Sequence, residues 1–187
     1  MNFGKLCLWV EATYPEVKVF VNKDHSVSLE VYCEGECNSV NVSSPSEVGG
    51  VTQATILNNE EGKTLTYFGE EYLALIIIIP SDKEEENIAS LLHELGHHIE
   101  CQKGNVLYKE IRAWQGAKKL YDKLNLTWSY VVNKYVEYCL STYIEDHPNL
   151  YTDSLANQKD RLLGREVRVK KNPIDMWGYE SWKRKYK

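Results

Sequence analysis

The residues of this chain best suited to chemistry are His93-Glu94-Leu95-Gly96-His97, two histidines one helical turn apart with a glutamate between them. On a helix, the i, i+4 spacing sets both imidazoles on one face, where both reach a single ion, and Zn2+ is the expected metal. Glu94 points in a neighbouring direction. That is where a base must sit to take a proton from water whose pKa the metal has lowered to roughly 7. Gly96 leaves room for a substrate or a neighbouring backbone to approach closely.

A catalytic zinc takes three protein ligands and keeps a fourth position open, so two histidines are not enough. Glu100 and Cys101 extend the histidine stripe, but each helical turn climbs about 5.4 Å, and three successive turns of a straight helix rarely converge on one ion. A ligand from another element is therefore expected. Glu110 is the leading candidate, because it shares a helical stripe with Ala113, Trp114, Ala117 and Leu120. A carboxylate buried there needs a cation to offset it. The alternative is that Glu110 sits in an exposed first helical turn, favoured by the helix dipole.

The elements that must position these residues are legible in the periodicity. Val17, Val19 and Val21 alternate, and after a polar stretch so do Val27, Leu29, Val31 and Cys33, which predicts a hairpin. Residues 52–57 and 64–68 read as two further strands joined across a polar loop. The Ile76 to Ile79 run reads as a strand covered on both faces. Beyond Pro80 the period lengthens to that of a helix. Ser81 and Glu84 form a capping-box pattern for a helix running to about Cys101, with Ile88, Leu91, Leu92, Leu95 and Ile99 as its apolar stripe. A second helix should carry Glu110 to Leu124, a third should run from near Thr127 to before Pro148, and a fourth should span about 152–163. Strands first and helices afterwards predict an α+β fold with a mostly antiparallel N-terminal sheet.

The 187 residues suffice for one domain, expected over 1–164. Net charge is −5 overall, but residues 165–187 hold eight Lys or Arg against three acids. This basic tail is expected to pack on, or be appended to, the same domain. One short charge run is weak ground for a nucleic-acid partner. No apolar run is long enough to span a bilayer and no signal peptide is evident, so a cytoplasmic protein without membrane contact is expected. Five cysteines without repeated spacing argue against a secreted disulfide framework. Cys33 and Cys37 are expected at a strand end and a tight turn.

At the two motifs the chain resembles the gluzincin metallopeptidases, in particular the ImmA/IrrE-like and phage-type minimal versions, which pair H-E-x-G-H with a later E-x-x-A. Here these are His93-Glu94-Leu95-Gly96-His97 and Glu110-Ile111-Arg112-Ala113. The resemblance covers roughly residues 73–124 and implies zinc ligands His93, His97 and Glu110, catalytic Glu94, a zincin-like α+β fold and a peptide substrate. Where larger gluzincins have an acid four residues after the ligand glutamate, this chain has Trp114, so support for a histidine must come from elsewhere. A cysteine ahead of such a helix also occurs in peptide deformylases, but the continuous deformylase motif is missing. The transition state needs a donor for the developing oxyanion, for which Tyr108, Arg112, Tyr121 and His98 are candidates, His98 reading more simply as a surface residue. The competing function is a binding protein that uses the metal structurally and the tail to hold a protein or nucleic-acid partner.

Overall fold

The computed structural model describes residues 1–23, 27–33, 36–42, 52–58, 64–100 and 103–167. The order of elements is α1 (Phe3–Thr13), β1 (Val17–Val21), β2 (Val27–Cys33), β3 (Glu36–Val42), β4 (Gln53–Asn58), β5 (Leu65–Tyr67), β6 (Glu70–Tyr72), β7 (Ala74–Ile79), α2 (Glu84–Ile99), α3 (Val106–Lys123), α4 (Tyr130–Asp146), a single 3₁₀ turn (Pro148–Leu150) and α5 (Asp153–Leu162). The fold is α+β, with two small sheets. Among the described residues, no helix is long and apolar enough to cross a membrane. The basic tail beyond residue 167 lies outside the described residues.

β7 organises the molecule. It is the central strand of a three-stranded sheet ordered β1-β7-β4, parallel to β1 and antiparallel to β4. All six of its residues are buried, as four consecutive isoleucines predicted. Alternation sends Ile76 and Ile78 into the large core under the helices. Leu75, Ile77 and Ile79 enter a smaller cluster with Val42, Leu65 and Tyr67. That second cluster is backed by the other sheet, ordered β3-β2-β5-β6 and antiparallel throughout.

The expected hairpin does not form among the described residues. β1 does not pair with β2; it lies parallel to β7, with Val19 opposite Ile76, so Val17 and Val19 enter the same core as Ile76 and Ile78. β2 pairs instead with β3 and β5. β4 and β5, read as neighbours across a loop, belong to different sheets. Period-2 alternation identifies a strand and its buried face but carries no information about its partner. Cys33 ends β2 opposite Glu36, and Cys37 is the second residue of β3.

α1 was not anticipated. Asn2 caps it by accepting from Lys5 N–H, and its buried Leu6 and Val10, one turn apart, dock on the core. The four later helices fall where the periodicity placed them, α4 and α5 capped by Ser129 and Thr152. The capping box at α2 does not form. Its N-cap is Lys83, without a side-chain bond, and Ser81 serves the preceding loop by accepting from Lys83 N–H. Asn87 clamps that loop through both its amide atoms, on Ser81 N and Ser81 O, and Thr52 Oγ1 donates to Asn87 Oδ1. Glu84 accepts from Phe3 N–H and so joins α1 to α2.

Candidate metal centre

α2 is buried continuously from Glu86 to Gly96, packed against β4, β7, α3 and α4. Burial of Leu91, Leu92 and Leu95, each fully excluded from water, contributes roughly 1.5–3 kcal/mol apiece and locks the rotation of the helix. The same rotation turns His93, Glu94 and His97 towards α3.

α3 crosses α2 at Gly96. A Cβ built on Gly96 would lie 2.2 Å from the carbonyl oxygen of Ala113, and one on Gly116 would lie 3.2 Å from Gly96 Cα. Of the two uses foreseen for Gly96, the structure selects close approach of a neighbouring backbone. Glu110, one turn before Ala113, is thereby pressed against the histidines. Its Oε2 lies 3.1 Å from His93 Nε2 and its Oε1 3.4 Å from His97 Nε2, and the two Nε2 atoms are 3.2 Å apart. Glu110 is 6% exposed, so the exposed-first-turn alternative is excluded. One ligand atom from each of the three residues lies within 4.8 Å of the others. Three converging lone-pair donors of the hard-to-borderline type, two imidazole and one carboxylate, are the set that suits a divalent cation such as Zn2+. No fourth His, Cys, Asp or Glu joins the group among the described residues.

Electrostatics separates the two glutamates. Burial works against ionisation of Glu110, but hydrogen bonds and charge from His93 and His97 outweigh it and hold its carboxyl down at about 2. Burial raises Glu94 above the usual carboxylate range; His93 and His97 pull it part of the way back, and Glu110 pushes it up. A Glu110 held towards its ionised form is fitted to be a ligand, and a Glu94 whose affinity for a proton is increased is fitted to be a base.

The surroundings hold residues that the sequence reading did not single out. On α4, Tyr135, Cys139 and Tyr143 recur every four residues and face the seam between α2 and α3. Burial raises the Tyr143 hydroxyl, and the nearby charges of Glu110 and Glu94 raise it further. Tyr135 pairs with Ser90 at 2.7 Å and packs its ring edge-on to Trp114. Burial pushes the Cys139 thiol up to about 12. The buried stripe of α4, Val132, Val136 and Leu140, was the available signal, since the tyrosines at 135 and 143 flank it.

The earlier oxyanion candidates lie elsewhere. Arg112 is paired with Glu100 at 2.9 Å, and Lys119 joins the same carboxylate at 2.6 Å, which ties the end of α2 to α3. His98, expected at the surface, is half-buried and reaches across to Glu16 at 3.2 Å. Tyr121 is buried against Trp128, and Tyr108 packs at the start of α3 beside Gly104. Trp114 stands where a supporting acid was looked for. It stacks on His93 with ring centroids 4.1 Å apart and planes at 23°.

Comparison of the chain with protein-family models, with curated proteins and with solved structures finds no match.

Proposed function

We propose that this protein is a zinc-dependent metallopeptidase of the minimal gluzincin kind on a zincin-like scaffold, with His93, His97 and Glu110 as metal ligands and Glu94 as general base. The observation that carries the reading is the convergence of those three ligand sets beside a buried glutamate on the same helix. Three ligands among the described residues, and not four, favour a catalytic over a structural site. A bound zinc ion would supply Lewis acidity, lowering the pKa of water and polarising a substrate carbonyl.

The chain's own residues then divide the work. Glu94 takes a proton from the attacking water as the new C–O bond forms, and delivers it to the amide nitrogen as the C–N bond breaks, so that the amine leaves neutral. The raised proton affinity of Glu94 suits both halves of that transfer. Tyr143, close enough to Glu110 and Glu94 for their charge to raise its pKa, takes the place of the earlier candidates as the donor for the oxyanion. β4 packs against α2 and pairs, among the described residues, only with β7, which leaves its other edge for an extended peptide to follow.

The test is Glu94→Gln, which preserves size and hydrogen bonding. It should keep one zinc per chain and lose hydrolysis of a quenched peptide library by about 10²- to 10⁴-fold. A variant that retains both metal and rate would exclude Glu94 as the base. A wild-type protein that binds zinc firmly and cleaves nothing would favour the structural-metal reading.

A further inference from the structure

The remote nitrogen of a metal-binding histidine ordinarily donates to a carboxylate, a carbonyl or a water, and that bond fixes the plane of the ring. At His93 no protein group among the described residues fills this role: Nδ1 is buried without a protein partner there, and the residue is 8% exposed. The face of the ring is occupied instead, by the indole of Trp114 at 4.1 Å.

Trp114 is itself held on several sides. It is 1% exposed, it follows Glu110 by one turn of α3, and the ring of Tyr135 meets it edge-on at 6.2 Å and 86°. Tyr135 is anchored in turn by its hydroxyl, 2.7 Å from Ser90 Oγ on α2. A continuous path of packed groups therefore runs from Ser90 through Tyr135 and Trp114 back to His93, one turn beyond its origin on the same helix. Indole and imidazole planes so close to parallel leave His93 little freedom about its second side-chain torsion, which is otherwise broad for a histidine.

We infer that Trp114 is the positioning residue for His93, aiming Nε2 at the metal by stacking where a hydrogen bond to Nδ1 would ordinarily do so. The inference rests on His93 being a metal ligand, and not on peptide hydrolysis. A tryptophan that only fills the core would contribute volume and stability alone, whereas a stacking platform must be flat.

The experiment compares Trp114→Phe with Trp114→Leu, reading the Zn2+ dissociation constant by competition with a chromophoric chelator and the thermal midpoint of the metal-free proteins. Both variants lose core volume and both should melt earlier. Only the leucine variant loses the flat face. Its zinc Kd should rise about 10-fold or more, while the phenylalanine variant stays within about 3-fold of wild type. Equal Kd values for the two variants would overturn the inference. So would a zinc-loaded wild-type crystal structure in which His93 Nδ1 bonds a carboxylate or the indole has left the ring, a result that needs no variant to fold. A wild-type protein that binds no Zn2+ would remove both the ligand assignment and this inference, whereas one that binds Zn2+ without cleaving peptides would remove only the peptidase reading.

Discussion

Replacing Gly96 by alanine adds one methyl group where the two helices that carry the proposed ligands touch. The new Cβ would sit 2.2 Å from the Ala113 carbonyl oxygen and 2.9 Å from its carbon, whereas ordinary contact begins at 3.4 Å. The shortfall from 3.4 to 2.2 Å means that α2 and α3 must part by about 1.2 Å. Neither contact can be relieved by a rotamer change, because both atoms are backbone. Overpacking of this kind costs about 1–3 kcal/mol, and alanine's better helix propensity returns up to about 1 kcal/mol of it. At roughly 2–4 °C per kcal/mol for a chain of this size, the metal-free midpoint should fall by several degrees. Glu110 moves with Ala113, which would carry its 3.4 Å contact with His97 beyond bonding range and raise the zinc Kd by about 10-fold or more. Differential scanning fluorimetry with chelator, followed by zinc titration, reads both effects. Gly4→Ala is the control, since its nearest neighbour would lie 4.0 Å away. A Gly96→Ala protein that melts within a degree of wild type and binds zinc equally would refute the close crossing as the device that assembles the site.

Other outcomes follow from the same geometry. Zinc at about 100 times its Kd should stabilise the folded chain by about 2.7 kcal/mol, and removal by chelator should reverse this; a midpoint indifferent to both would count against a metal site. Tyr143→Phe should keep zinc and lower kcat by roughly 10- to 10³-fold with KM little changed, and an unaltered kcat would return the oxyanion donor to the unknown. In the presence of chelator, stability should decline above about pH 9. Burial raises the Cys7 thiol to about 11 and the Cys139 thiol to about 12, and pushes Tyr121, Tyr135 and Tyr143 up as well. These groups are neutral in the fold, so the unfolded chain loses its protons first as pH rises, and the stability present below pH 9 is lost towards the folded pKa values. Urea midpoints that stay level from pH 8 to 10.5 would contradict the burial of these groups.

Helices were read more accurately than sheets, for a physical reason. A helix bonds to itself, so the stripe Leu91, Leu92 and Leu95 is a complete local statement, although the capping box read at Ser81 and Glu84 does not form. A strand bonds to something else. Val17, Val19 and Val21 alternate identically whether they pair with Val27–Cys33 or with β7, and only the burial of Ile76 and Ile78 on the same face decides for the parallel pairing. α1 escaped notice because its buried face is as narrow as Leu6 and Val10.

The sequence by itself determined the part of the site contained within one helix: His93 and His97 share a face, with Glu94 between them, because 3.6 residues make a turn. It also named Glu110, through an apolar stripe that a free carboxylate had no reason to join. Only the tertiary structure decided that Gly96 and Gly116 let α3 come close enough to bring Glu110 to 3.1 Å from His93, that an indole rather than an acid faces that ring, and that Tyr143 comes from α4 within the electrostatic influence of Glu110 and Glu94. Those contacts join residues distant in the chain, and their distances depend on how whole helices pack, which no local periodicity records.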